Sequence, residues 1–149
     1  MIDKIKIIGA IAPQAGGAIT GDYISLKNVL RCRVCVGINQ VAANTVAITI
    51  EQATAVAPAN STAITKVVPI WVNLSSGVSS TLVAATAAVS YTTDAGQVNK
   101  IVIFDIDPAI LDDGYDCITV KTGASSASNI TCAYYECEMR YSGAEVITD

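Results

Sequence analysis

Apolar and polar residues alternate along several short segments of the chain, with the period of two that is typical of β-strands buried on one face. The clearest alternation lies within 22–38 and places five apolar residues on one face, namely Leu30, Cys32, Val34, Val36 and Ile38. Thr45–Gln52 repeats the pattern, with Val46, Ile48 and Ile50 facing inward. We expect these two segments to pair as an antiparallel hairpin whose other face is solvated or contacts a partner.

The segment Lys100–Lys121 predicts two strands joined by a structured corner. A dense run of β-branched and aromatic residues opens the segment, and a second such run closes it. Within the corner, we expect Asp107 to accept backbone N–H bonds, Pro108 to start a single helical turn and Gly114 to adopt a positive φ. Leu111 is the apolar side chain that is placed to return into the core.

Three further segments read as strands. Lys66–Leu74 contains Pro69, whose missing N–H confines a strand to a sheet edge or a bulge. Thr81–Thr92 alternates weakly through small residues and predicts one or two strands. Ile130–Tyr141 is predicted as the last strand, with an inward face made of Thr131, Ala133, Tyr135, Cys137, Met139 and Tyr141.

The N-terminal segment 1–21 is expected to be either an arm or a first strand. Residues 2–8 alternate loosely, whereas 13–21 contains three glycines and no charge, which favours a flexible connection or an extended arm over a packed element. We therefore divide the chain into this segment, a single domain at 22–141 and a C-terminal tail at 142–149. Many short strands and no amphipathic helix predict an all-β fold, a two-sheet antiparallel β-sandwich.

Composition supports one self-sufficient domain and argues against nucleic acid as a partner. The 149 residues are 52% hydrophobic and 15% charged, and the net charge is −4. The nine lysines and arginines are scattered, so no basic stripe is available to neutralise phosphates. The apolar run before Pro13 is too short for a secretion signal or a membrane helix, so we expect synthesis in the cytoplasm and no membrane partner. Much uncharged surface remains, which favours contact with other subunits.

The residue types of the chain exclude most common catalytic sites. Histidine is absent, which removes Ser-His and Cys-His nucleophiles and His-ligated metals together. Cys32-x-x-Cys35 is similar to half of a zinc or redox motif, but an offset of three on a strand places the two sulfurs on opposite faces. We expect the five cysteines to be small buried thiols, and we predict no catalytic residue, no cofactor and no metal site.

An acidic cluster raises calcium binding as an alternative to ordinary turns and caps. Five aspartates fall within twelve residues: Asp105, Asp107, Asp112, Asp113 and Asp116. Their spacing does not follow the helix–loop–helix calcium pattern, because no Glu closes the loop. We favour the turn.

Six residues are predicted to contact other subunits. Three belong to the N-terminal segment, which as an arm would reach a neighbour, and three lie on or before the strand that carries two arginines, because Arg and Tyr are enriched where proteins meet. These residues are Ile2, Ile5, Ile7, Tyr23, Arg31 and Arg33. A solvated strand face is the alternative for the two arginines.

One short pattern resembles immunoglobulin domains. Tyr115-x-Cys117, after Leu111 and Gly114, is similar to the tyrosine corner of that fold. Trp71, however, lies too far from the earlier cysteines for the Cys-to-Trp spacing of such domains. An immunoglobulin-like sandwich is therefore the alternative fold.

A second resemblance extends over most of 22–141. The chain is similar to small structural proteins of tailed bacteriophages, which are jelly rolls or related sandwiches, through DYISLKN at 22–28, ITIEQATAV at 48–56, a strand around Trp71, FDIDPAILDDGYDCITV at 104–120 and MRY at 139–141. The resemblance implies a jelly-roll-like decoration, or cement, protein on the capsid surface of the virion. Such a protein binds the major capsid protein, stabilises the shell and forms a homo-oligomer, with a trimer favoured.

Two other functions stay open at this point. A head-fibre, neck or tail component would act in adhesion, binding carbohydrate through exposed tyrosines such as Tyr134, Tyr135 and Tyr141. An enzyme would need Asp105 and Asp107 to act together on a glycan, but two nearby carboxylates on one strand face are too constrained for paired acid and base roles. We rank the structural role first, adhesion second and catalysis last.

Overall fold

Two antiparallel sheets pack face to face in a computed structural model of the chain, which describes residues 2–41, 43–57, 60–96 and 98–148 but not the side chain of Ile2. The strands of these ranges are β1 (Ile5–Ala15), β2 (Ile19–Thr20), β3 (Ile24–Ser25), β4 (Val29–Asn39), β5 (Ala47–Ala53), β6 (Thr62–Ala63), β7 (Val68–Asn73), β8 (Val83–Ala88), β9 (Ser90–Thr92), β10 (Asn99–Ile106), β11 (Cys117–Thr122) and β12 (Ile130–Met139). Single-turn 3₁₀ helices lie at Ile2–Lys4 and Pro108–Ile110. The all-β, two-sheet prediction is confirmed.

The strands pair in a nested order, from the ends of the chain inward. β1 pairs with β12, β2 and β3 with β11, β4 with β10, and β5 with β9. Further pairs, β12 with β4 and β11 with β5, fold this long antiparallel ribbon into two sheets. A rolled ribbon of nested pairs is the jelly-roll arrangement.

A hairpin inserted between β5 and β9 widens one of the sheets. β7 joins the free side of β10, and β8 lies outside β7, so the larger sheet has the order β1-β12-β4-β10-β7-β8. Pairing between β7 and β8 shifts register between Val68 and Ile70, on either side of the exposed Pro69. The proline therefore sits at a bulge, which was one of its two predicted positions, and β7 is not an edge strand.

The core lies between the two sheets and contains nearly all of the residues predicted to face inward. Every residue of the predicted inner face of β12 is buried except Tyr141, which lies beyond the strand and is 66% exposed. On β4 the alternation holds from Cys32 onward, but Val29 is buried in place of Leu30. A register shift opposite this end, between Glu138 and Met139, explains the exchange because it moves the side chains to the opposite faces.

The corner between β10 and β11 has the predicted structure and carries the chain from one sheet to the other. The Asp107 carboxylate accepts a hydrogen bond from the Ala109 N–H at 2.9 Å, and Pro108 begins the helical turn. Gly114 has a φ of +83°, which a residue with a Cβ adopts only with strain. Leu111 is buried in the core.

Two predictions about connections are wrong. The segments β4 and β5 do not form a hairpin, because they lie in different sheets and each pairs with a strand from the second half of the chain. Residues 13–21 are not a free connection: β1, the first strand that was the alternative to an arm, continues to Ala15, and β2 follows at Ile19–Thr20. Gly16 is required here by close packing, since a Cβ would lie 2.4 Å from the Ser126 carbonyl oxygen.

Tyr135 ties the two sheets together through the core. Its side chain is fully buried on β12, and its hydroxyl donates to the Asp22 carbonyl at 2.8 Å and accepts the Val120 N–H at 3.1 Å. Val120 lies on β11 between the positions where β3 and β2 pair, so the hydroxyl satisfies a strand N–H at a gap in the smaller sheet. Burial raises the pKa of Tyr135 well above its usual range, so the hydroxyl keeps its proton.

We predict that Tyr135→Phe lowers the free energy of unfolding by about 1–3 kcal/mol, because it leaves the buried Val120 N–H without a partner while the ring still packs. Urea denaturation measures the change. Tyr141→Phe makes the same chemical change at an exposed position and should cost almost nothing. Equal stability of the two variants would contradict the role given to this hydroxyl.

A buried lysine closes one end of the sandwich. Lys100 faces inward on β10, its side chain has no exposed surface, and its ammonium group donates to both the carboxylate and, at 2.8 Å, the carbonyl of Asp94. Gln40 holds the same loop through the carbonyls of Asp94 and Gly96, at 2.5 and 3.2 Å. Thr93 donates to the Gln40 amide oxygen, so this buried network is fully connected.

We predict that Asp94→Asn destabilises the fold by about 1–3 kcal/mol, because it leaves a buried ammonium group without its counter-charge. Half of the Asp94 side chain is exposed, which keeps this cost below that of a fully buried pair. Lys100→Met should cost less, since an apolar chain of similar length fills the site and Asp94 is free to be hydrated. Thermal unfolding of both variants measures the two losses of stability. A larger loss for Lys100→Met than for Asp94→Asn would contradict this prediction.

The same pair predicts a pH dependence. The hydrogen bond from Lys100 and that from the Gly96 N–H lower the pKa of Asp94 below its ordinary value of 3.8. A lowered carboxyl pKa stabilises the fold at pH values above 3.8, and this contribution is lost as the pH falls through the folded-state pKa. The stability difference between the wild type and Asp94→Asn should therefore stay constant from neutral pH to about pH 4 and shrink below it. A difference that grows on acidification would refute this assignment.

Candidate interaction surface

The outer face of the larger sheet exposes several apolar side chains. Strand register places one residue from each strand side by side across this face, in the row Gly9, Tyr134, Cys35, Ile103, Trp71 and Ala84. Trp71 is 41% exposed and Tyr134 is 43% exposed. Next to the row, Ile101 follows the same face of β10 and is 36% exposed. A central strand thus presents isoleucines to solvent.

A shallow cleft runs along this face beside the loop that joins β7 to β8. This outer-face cleft has a volume of about 630 Å³. Its apolar lining consists of Val78, Leu82, Ile101, Ile103 and Tyr134. A smaller hollow of about 280 Å³ adjoins it at Trp71, between Leu82 and the Arg33 and Asp105 side chains. Together they form an apolar patch with polar groups at its border, which is the usual anatomy of a protein-binding surface.

Two ion pairs border the patch on one side. The Arg31 guanidinium contacts the Asp105 carboxylate at 2.5 Å, and the Arg33 guanidinium contacts Glu136 at 2.6 Å. The hydrogen bond and the charge of Asp105 raise the pKa of Arg31 further above its already high value. Both pairs are partly exposed, so their contribution to stability is small, but they fix the arginine side chains beside the patch.

The residues predicted to contact other subunits are only partly brought together. Ile5, Ile7, Arg31 and Arg33 share the outer face of the larger sheet, where Ile7 is opposite Glu136, and Glu136 is opposite Arg33. Tyr23 lies elsewhere and is 4% exposed, so it has almost no surface available to a partner. It packs against Ala53 and Cys117 and donates a hydrogen bond to Ser61 at 3.0 Å. The Ile2 side chain lies outside the described residues.

Three apolar residues at the centre of this surface were not among those predicted, namely Trp71, Ile101 and Ile103. Ile101 and Ile103 were predicted to lie on a strand, but the face of the strand on which they lie was not predicted. Trp71 was noted only as the single tryptophan. The sequence did contain a signal for this surface, because β10 has apolar residues on both faces and such a strand requires cover on both sides. Sequence alone did not show that β10 is central and that no segment of the described chain lies over its outer face.

The five cysteines are unpaired thiols. Cys32 faces the core and Cys35 the outer face, as the strand offset predicts, and burial raises the pKa of the Cys35 thiol. Cys32 lies directly opposite Cys137, with 3.6 Å between the sulfur atoms. Burial and the neighbouring Asp116 raise the pKa of Cys117 to about 12. The raised pKa values keep the Cys35 and Cys117 thiols protonated and poorly nucleophilic.

Four of the five aspartates considered as calcium ligands contact other protein groups. Asp105 pairs with Arg31, and Asp107 caps the helical turn. Asp112 accepts hydrogen bonds from Thr65 and Gln52, both at 2.7 Å, and Asp116 pairs with Lys27 at 3.0 Å. Within the ranges that the structure describes, no three His, Cys, Asp or Glu side chains converge as a metal site would require.

Comparison with known proteins finds no family model, no curated protein and no solved structure that matches the chain. No helix in the described ranges is long and apolar enough to span a membrane. The surface must therefore be interpreted from its own chemistry.

Two isoleucines on one strand separate the roles of its two faces. We predict that Ile106→Ala, in the core, lowers the free energy of unfolding by about 2–5 kcal/mol, and that Ile101→Ala, on the outer face, costs less than about 1 kcal/mol. Ile106 has no exposed surface, whereas Ile101 is 36% exposed. Urea denaturation checks the pair; similar costs would mean that Ile101 serves the fold rather than a partner.

Proposed function

We propose that this protein is a non-enzymatic structural component of a bacteriophage virion, which decorates the capsid shell, binds the major capsid protein and acts as a homo-oligomer. The observation that carries the proposal is the uncovered apolar patch on the outer face of a rigid jelly roll. A stable body with one exposed apolar face is suited to holding other proteins in place.

The resemblance to phage structural proteins supplies the identity of the partner. Its longest segment, 104–120, covers the end of β10, the helical corner and most of β11. Ile101 and Ile103 of the patch precede this segment on β10. A protein that binds assembled shell subunits and not free ones stabilises the shell by mass action, which is the physical basis of cementing.

Adhesion through sugar binding has less support from the geometry. Trp71 and Tyr134 are the exposed aromatic residues in the central row of the patch. Their strands, β7 and β12, have two other strands, β10 and β4, between them in the sheet. Three strand spacings of about 4.8 Å place them roughly 14 Å apart, which is too far for both rings to stack on one sugar. Tyr135, a second candidate, is fully buried.

Binding to shells tests the proposal. Purified protein is added to capsid shells that lack it, and bound copies are located by electron microscopy and counted after sedimentation. We expect occupancy at regular lattice positions and release of shell protein at a higher temperature when the shell is decorated. Absence of binding, or binding at one vertex or on fibres only, would refute decoration.

A matched pair of variants tests the surface. We predict that Ile101→Asp weakens shell binding at least tenfold, because it places a charge in the middle of the apolar patch. The control, Ile147→Asp, makes the same change at an exposed isoleucine beside Ser25 of the smaller sheet and should bind like the wild type. Equal binding of both variants would exclude the outer face as the contact.

A further inference from the structure

The free edge of β8 is the least protected strand edge among the described strands. Proteins guard such edges with charge, proline, irregular pairing or very short strands, because the unpaired backbone groups are a template for another strand. At the opposite edge of the same sheet, β1 has three of these devices: Lys6, Pro13 and two register irregularities. In the smaller sheet the outer strands are only two or three residues long.

β8 lacks most of this protection. Its six residues contain no charge and no proline, and its sole irregularity is the bulge at Thr86 and Ala87, near one end. Val83–Ala85 pair regularly with β7, on one side only. Ala85 and Ala88 are partly buried against the core, and the other four side chains of β8 are exposed, so the strand lies at the rim of the sandwich.

Exposed apolar side chains gather at this edge. Val83 is 59% exposed, Val78 in the preceding loop is 89% exposed, and Leu82 and Trp71 are exposed beside them. An uncharged edge strand surrounded by apolar side chains is an aggregation hazard unless a defined partner covers it. A partner strand would satisfy the backbone and bury these side chains at the same time.

Charge indicates which partner fits. The chain carries a net charge of −4, so two copies repel each other over most of their surfaces. Residues 67–93 contain no charged side chain, and this neutral stretch includes β7, β8 and the loop between them. The edge of β8 can therefore meet a second copy of itself without bringing like charges together, and an antiparallel strand is complementary to its own copy about a twofold axis.

We propose that two copies of this chain associate through antiparallel pairing of their β8 strands about a twofold axis, which joins the two six-stranded sheets into one continuous sheet. This inference rests on the proposed function, for which it identifies the self-association surface. It gives dimers, or assemblies with an even number of copies, in place of the trimer that the resemblance implies. The outer-face clefts of the two copies lie on the joined sheet and remain open to the shell.

The oligomeric state of the purified protein tests the pairing without any shell. Size-exclusion chromatography with light scattering should give an even number of chains for the wild type. Val83→Lys/Thr86→Lys places two charges at the edge and should halve the mass or reduce it to one chain. The control Ala124→Lys/Ala127→Lys adds the same charge at exposed positions in the loop before β12 and should keep the wild-type mass. Circular dichroism spectra and unfolding curves establish that each variant is folded.

Crosslinking tests the geometry directly. Twofold pairing brings a residue near the middle of the regular part of β8 close to its own copy, so Ala84→Cys should form a disulfide-linked dimer under mild oxidation, which dithiothreitol reverses. Ala124→Cys, in the control loop, should stay uncrosslinked. A monomeric or trimeric wild type, an edge variant of unchanged mass, or no crosslink at position 84 would overturn the inference. Self-association without shell binding would instead refute the proposed function and leave the pairing intact.

Discussion

A sheet has two faces, and this chain covers only one face of its larger sheet. The smaller sheet packs against the inner face, where Val102, Phe104 and Ile106 of β10 are completely buried. The alternate residues of the same strand include Ile101 and Ile103, which face outward with no segment of the described chain above them. Apolar groups on both faces of a central strand are typical of sheets that are covered twice. We propose that another protein supplies the second cover, and the proposed function depends on this constraint.

The first cover makes the body rigid enough to act as a scaffold. Nested pairing connects the first strand with the last, so both ends of the jelly roll are held in one sheet. Tyr135 crosses the core and completes the backbone hydrogen bonding of β11 where β2 and β3 leave a gap. Lys100 and Asp94 close one end of the sandwich with a connected polar network. Each device satisfies a buried polar group with a fixed partner, and together they favour a single arrangement of the two sheets.

The two proposed contacts use different parts of the same sheet and different physics. The outer-face cleft offers apolar area bordered by the Arg31 and Arg33 ion pairs, which suits a specific protein partner. The β8 edge offers backbone hydrogen bonds in a neutral segment, which suits a second copy of an acidic chain. Because one contact uses the face and the other the edge, both can be occupied together. Joining two sheets at their edges would also double the apolar face presented to the shell, so the contacts would reinforce each other through multivalency.

Local chemistry in the sequence determined the strands and the corner of this protein, and long-range pairing decided the rest. The period of two located the inner faces of β4, β5 and β12, and Asp107, Pro108, Leu111 and Gly114 predicted the turn between β10 and β11, because these features depend on residues only a few positions apart. Three other features depend on residues far apart in the chain: the pairing of β4 with β10, the burial of Tyr23 and the exposure of Ile101. The alternation of residue types within one segment does not show which distant segment will pair with it or cover it. Alternation tells which residues of a strand share a face; only the sheet order tells which faces another layer covers.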